Sequence, residues 1–226
     1  MILVQIGAGS ANFDTDLEDG FSNFIKKKKI KKKKIYIVEA NSKHLKNLKK
    51  FYSKEKTEIL NFAVIPDNLN KKKMVFYYSE QDKPNYQIFS SSKLFVRKHY
   101  PNGKIKKKIV NCIKISNLLK KYKLFDIDYL SLDIEGMDYD VLFNLNLNNF
   151  KIKNISFEHL HLNLYQKIKI IYKLILNNYF FSGMGFDIRK SDWMFKKNYK
   201  NSLIITYLLP FTPRRIWKKY SFAKLN

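Results

Sequence analysis

Residues 4–11 read Val4-Gln5-Ile6-Gly7-Ala8-Gly9-Ser10-Ala11, and residues 35–39 read Ile35-Tyr36-Ile37-Val38-Glu39. The first stretch is an apolar run, Ile2–Ile6, broken by a Gly-x-Gly turn, the pattern of a buried parallel strand entering a tight loop. Small residues let such a loop turn sharply and approach a ligand, and the start of a following helix favours polar or anionic groups. The spacing is Gly-x-Gly-x-Ala; the dinucleotide fingerprint wants a small residue one place later, where Asn12 stands. The second stretch puts an acid at the carboxyl end of another buried strand. A carboxylate there can accept both hydroxyls of a ribose. The plainer alternatives are a simple tight turn and an exposed strand-end glutamate. Together the two stretches point to a nucleoside-bearing cofactor on a doubly wound α/β sheet.

Outward from these strands the alternation continues. Phe21, Phe24 and Ile25 have helical spacing, and lysine runs follow at Lys26–Lys29 and Lys31–Lys34. Leu45, Leu48, Phe51 and Tyr52 predict an amphipathic helix from about Ser42, and Ile59–Ile65 a third strand. Met74–Tyr78 and Ile105–Ile115 read as extended. Between them the polar stretch 79–103 reads as a long loop, a substrate-side insertion or a surface excursion. A helix at Ser116–Tyr122, a strand at Tyr129–Ile134, a helix at Asp138–Phe143 and a strand at Asn154–Phe157 come next. A helix over Leu164–Asn177 is expected to bury Ile168, Ile171 and Ile175. Extended segments at Tyr179–Ile188 and Ser202–Leu209 close a domain spanning 1–209, and 210–226 is a basic aromatic tail. The expected fold is α/β and Rossmann-like, with a mostly parallel doubly wound sheet and an antiparallel final strand.

Two further strand ends carry acids. Asp133 ends the strand at Tyr129–Ile134 and Glu135 and Gly136 follow it, a place where carboxylates could orient an acceptor hydroxyl, take its proton or hold a divalent cation. Glu158, His159 and His161 follow Phe157. An imidazole with an ordinary pKa near ~6.5 suits a general base, although a histidine among apolar residues also serves in packing or capping. Asp133, Glu135, Glu158 and His159 offer cation ligands without a spacing diagnostic of a metal.

At 226 residues the chain suits one well-buried core. Cys112 is its single cysteine, which excludes an intrachain disulfide and a thiolate cluster. No apolar run reaches the ~20 residues of a spanning helix, and Met1–Gly7 lacks the features of a signal peptide. A cytoplasmic enzyme is expected. The formal net charge is +25, yet of 44 Lys and Arg only Arg97, Arg189, Arg214 and Arg215 are arginine. Abundant Lys, Asn, Ile, Phe and Tyr beside scarce Ala, Gly, Pro and Arg follow A/T-rich coding. Most of the lysine excess is assigned to that bias, with weak attraction to polyanions as its consequence.

Over nearly its whole length the chain resembles the FkbM-type methyltransferases. The stretches that carry the resemblance are Val4–Gly9, Val38-Glu39-Ala40-Asn41, Asn61-Phe62-Ala63-Val64, Asp126–Leu142 with Leu132-Asp133-Ile134-Glu135-Gly136, and Ile155–Glu158. The block of Asp133 to Gly136 followed by Asp138 and Leu142 is the most specific. The resemblance implies S-adenosylmethionine (SAM) as methyl donor and O-methylation of a sugar or another small acceptor. It places Gly7 and Gly9 on the methionine side of SAM, with Ala8 and Asn12 in the same loop. Glu39 and Ala40 fall at the ribose, Asn61 and Ala63 near the adenine, and Asp133 near the transferred methyl. Asp133, with Glu158 and His159 behind it, is the catalytic choice. The chain departs from many members at Gln5, where an acid is usual, and at Ala40, where proline is usual. This sequence begins at the first strand, without the preceding helix of many methyltransferases, so one side of the pocket is expected to be less covered, or covered by the lysine-rich segment or a partner. The rival readings are an RNA methyltransferase using the basic surface, and a SAM-fold scaffold that has lost catalysis.

Overall fold

The structure, a computed structural model, describes residues 1–13, 17–18, 20–27, 33–82, 88–186, 192–199, 203–212 and 216. Strand β1 (Ile2–Ile6) is followed by the short pair β2 (Asn12–Phe13) and β3 (Leu17–Glu18), then helix α1 (Gly20–Lys27). Next come β4 (Lys34–Val38), α2 (Leu45–Phe51), β5 (Thr57–Leu60) and β6 (Ala63–Ile65). Strand β7 (Lys73–Ser79), helix α3 (Lys93–His99) and strand β8 (Ile105–Lys114) form the middle. The second half runs α4 (Ile115–Lys121), β9 (Asp126–Leu132), α5 (Asp138–Asn144), β10 (Lys151–Phe157), α6 (Leu164–Leu176), β11 (Tyr179–Met184), β12 (Trp193–Lys197) and α7 (Leu203–Leu208).

Seven strands make the main sheet in the order β11-β12-β10-β9-β1-β4-β5. All neighbours in it are parallel except β12, which runs antiparallel to both β10 and β11. This is the expected Rossmann-like arrangement, with the strand order reversing beside β1. Alternation along the strands explains the two layers of helices. Leu3, Ile35 and Ile37 share one core cluster with Phe21, Ile25 and Leu48 from α1 and α2. Val4, Ile6, Tyr36 and Val38 point into the other, with residues of α4, α5 and α6. Burial of each such side chain contributes about 1.5–3 kcal/mol.

Five expectations change. The run Ile59–Ile65 is two strands, because the Asn61 amide donates to the carbonyls of Glu39 (2.7 Å) and Ala40 (3.1 Å) and turns the chain there. Strand β6 then leaves the main sheet for a three-stranded one, β6-β8-β7. Residues 83–87 lie outside the described residues, and the described parts of 79–103 are more ordered than a loop. They hold a short 3-10 turn at Glu80–Asp82 and α3, whose Ser92 hydroxyl caps it by accepting from Phe95 N at 3.1 Å. Strand β9 runs Asp126–Leu132 and stops before Asp133. Helix α6 buries Ile170, Ile171 and Leu174 and leaves Ile168 45% exposed. Residues Leu203–Leu208 are helical, and the last strand is Trp193–Lys197. The lysine runs beyond Lys27 and short of Lys33, the end of the Tyr179–Ile188 segment, and all of the tail after Thr212 except Ile216 lie outside the described residues. Among the described residues no helix is long and apolar enough to cross a membrane.

Candidate active site

The register of the main sheet aligns the strand ends. Ile6 pairs with both Val38 and Leu132, Val38 with Leu60, and Leu132 with Phe157. The next residue on each strand therefore falls in one row along the carboxyl edge: Asn61, Glu39, Gly7, Asp133, Glu158. At a strand spacing of ~4.8 Å the row is about 19 Å long. Backbone bonds continue the ladder one step past the strands, from Gly7 N to Val38 O (2.8 Å), Glu39 N to Leu60 O (2.9 Å) and Asp133 N to Ile6 O (2.9 Å). Ligands of open α/β sheets bind in this place.

Gly7 has φ +81°, and a Cβ there would lie 1.7 Å from the Asp133 carbonyl oxygen. The glycine therefore lets the first loop lie against the Asp133 backbone. Gly9 (φ 55°) and Ala11 (φ 60°) are left-handed as well, so the chain curls back on itself after β1. Its curl is tied to β4 by Glu39, whose carboxylate accepts from Gly9 N at 2.8 Å and from Asn41 N at 2.6 Å. A carboxylate has about four acceptor positions, so with these donors and the Ala40 backbone it keeps room for a ligand's hydroxyl. Burial pushes the Glu39 carboxyl up to about 7; the backbone donors of Asn41, Gly9 and Ala40 oppose that and nearby Asp133 adds to it. Gln5 is buried in β1 below this loop. Ala8 belongs to the core cluster around Phe21, while Ala63 and Ala40 pack with Phe76 and Phe89. The Asn12 backbone pairs with Glu18.

On the other side of Gly7, the turn after β9 is strained in the same sense, with Glu135 at φ 49° and Gly136 at φ 96°. Asp138, 2% exposed at the start of α5, accepts from Ile134 N at 3.2 Å and so closes this turn. Burial, reinforced by Asp133, raises its carboxyl to about 8. The segment before α3 docks on the same turn. Ser90 Oγ donates to the Glu135 carbonyl (2.9 Å), Ser91 Oγ meets Met137 Sδ (3.3 Å), and the Phe95 ring lies over Gly136.

Glu158 is 4% exposed and its Oε2 lies 3.4 Å from His161 Nε2. His161 meets the edge of Phe95 (4.7 Å between ring centres), which also contacts His99 (4.6 Å). His159 is buried and stacked on Trp193, 4.3 Å between ring centres and 13° between planes. The geometry thus brings Asp133, Glu158 and Glu39 to one edge and turns His159 toward β12. Of the four residues that could offer cation ligands by sequence, Glu135 and Glu158 converge, and His161 joins them in place of Asp133 and His159. Sequence reasoning did not single out Ser90, Phe95 and His99. They come from a segment with no periodicity, and only the fold carries it to Glu135.

A family model described as methyltransferase FkbM domain matches residues 5–188, which include every residue of the row. No curated protein and no solved structure matches the chain.

Proposed function

The chain belongs to the FkbM methyltransferase family, and from that premise we propose that it is a SAM-dependent O-methyltransferase acting on a hydroxyl of a sugar or other small acceptor. The observation that carries this reading is the single row of Asn61, Glu39, Gly7, Asp133 and Glu158 along the carboxyl edge. The residues fit the cofactor's chemistry. Glu39 retains acceptor capacity for a ribose hydroxyl, and Asn61 and Ala63 lie beyond it on the side proposed for the adenine. Gly7, Ala8, Gly9 and Asn12 bound the side proposed for the methionine moiety, and Ala40 follows Glu39. Bound SAM would supply a sulfonium methyl that an attacking oxygen can displace in line.

The protein's own part is positioning and proton removal. Asp133 is the proposed contact to the acceptor hydroxyl. Glu158, one strand further along the row, flanks the acceptor on the side away from Glu39. His159 would act through its position, since Trp193 occupies one face of its ring. The 79–103 segment, docked on the Glu135 turn, is proposed as the wall of the acceptor side, within a methyltransferase domain of residues 1–209.

Calorimetric titration with SAM and with S-adenosylhomocysteine tests the reading. Micromolar binding of both is expected, weakened by at least tenfold in Glu39→Ala. Asp133→Ala should leave that affinity within about threefold while cutting turnover by 10²-fold or more, the scale of a lost acid–base group. A folded protein that binds neither compound would overturn the cofactor assignment.

A further inference from the structure

We propose that Glu135, Glu158 and His161 form a divalent transition-metal site at the acceptor end of the carboxyl edge. One ligand atom from each lies within 4.8 Å of the others. The three residues come from two loops, Glu135 from the strained turn after β9 and Glu158 and His161, three residues apart, from the loop between β10 and α6. They are a mixed set, two carboxylates with an imidazole, and not merely a patch of acids.

The spacing inside the set is the second observation. Glu158 Oε2 and His161 Nε2 are 3.4 Å apart. That is long for a charge-assisted hydrogen bond, which runs at ~2.7–2.9 Å. It equals the edge of a tetrahedron around an ion whose ligands lie at ~2.1 Å, the distance typical of Zn–N and Zn–O bonds. The surroundings also hold the ligands in place. The Phe95 edge sets the His161 ring, and the hydrogen bond from Ser90 Oγ to the Glu135 carbonyl fixes the Glu135 backbone. Behind His161 stands His99, whose Nδ1–H donates to the Phe95 carbonyl at 3.0 Å and leaves Nε2 as the basic nitrogen.

The chemistry of the set selects the ion. An imidazole with two carboxylates suits Zn²⁺, Mn²⁺, Fe²⁺ or Co²⁺ over Mg²⁺, which prefers all-oxygen, largely hydrated surroundings. Three protein ligands leave at least one position open, as at catalytic metal sites. The open position would take the acceptor oxygen and lower the pKa of its hydroxyl, whose proton then passes to Asp133 or water. That last role rests on the methyltransferase reading; the metal site itself does not.

Titrating tag-free protein with Co²⁺ in the absence of SAM, with visible absorption as readout, tests the site. One equivalent should bind with a d–d band, and Zn²⁺ should displace it. His161→Ala, at a partly exposed position where folding is not at risk, should weaken Co²⁺ at least tenfold, as should Glu158→Gln, with the circular dichroism unchanged. No binding, or binding of equal strength in His161→Ala, would overturn the proposal. A parallel S-adenosylhomocysteine titration without metal separates failure of this site from failure of the cofactor assignment.

Discussion

At the scale of single residues, Glu39 makes the sharpest prediction. Burial pushes its carboxyl up to about 7, outweighing the backbone donors of Asn41, Gly9 and Ala40. An acid whose folded pKa is raised binds its proton more tightly in the folded state, so the ligand-free protein loses stability as pH rises from about 4.5 toward 7. Ribose hydroxyls need the ionised form as acceptor. If only that form binds, the apparent affinity for S-adenosylhomocysteine should improve about tenfold between pH 6 and pH 8 and then level off. Glu39→Gln should flatten this profile; a flat profile in the wild-type protein would remove Glu39 from the ribose. This residue was legible in sequence because a strand end needs only the strand to be found. His161 was noted after Phe157, but its approach to Glu135 was not legible, because that depends on how two loops after different strands fold over the edge.

At the scale of elements, the sequence succeeded where a mostly apolar run is bounded by a turn or an acid and failed where no such boundary stands. Strands β1 and β4 are continuous apolar runs bounded by Gly7 and Glu39, and both were found. Trp193–Lys197 is short, its first three residues are buried without alternation, and it carries no period to read. Leu203–Leu208 is rich in Leu, Ile and Thr, which locally favours a strand, yet it packs as a helix on β11 and α6. In α6 apolar residues surround the helix, so sequence could not choose between Ile168 and Ile170 as the buried position. The 88–99 segment was opaque because its order comes from contacts made in the fold, a backbone bridge between Ser90 and Tyr77 and docking on the Glu135 turn. Ser90 is the buried joint, donating to the Glu135 carbonyl and accepting from Ser92 N at 3.2 Å. Ser90→Ala strands both partners, at a cost of about 1–3 kcal/mol. Amide exchange in 88–99 should accelerate roughly 5- to 150-fold by local opening, while β1 and β4 keep their protection. Unchanged exchange in that segment would show that the joint does not hold the wall in place.

At the scale of the whole molecule, the net charge of +25 separates the sugar reading from the RNA reading. Lysines supply charge without the bidentate fork that reads guanine, and only four arginines are present. Attraction to RNA should then be a counterion effect, indifferent to sequence. With about four phosphate contacts, affinity for an arbitrary RNA should fall about a hundredfold between 50 and 200 mM salt. The cofactor edge responds differently: Glu39 is buried and its contacts are short, so salt screens them little. Affinity for S-adenosylhomocysteine should change less than about twofold over the same range. Measured side by side, the two salt slopes distinguish a generic polyanion surface from the binding edge of the sheet. Methyl transfer into RNA that persists at 200 mM salt would make RNA the acceptor and give the lysines a selected role. Salt-sensitive binding without transfer leaves them as the imprint of coding bias, and leaves the acceptor hydroxyl to be sought among small molecules that fit between Asp133 and Glu158.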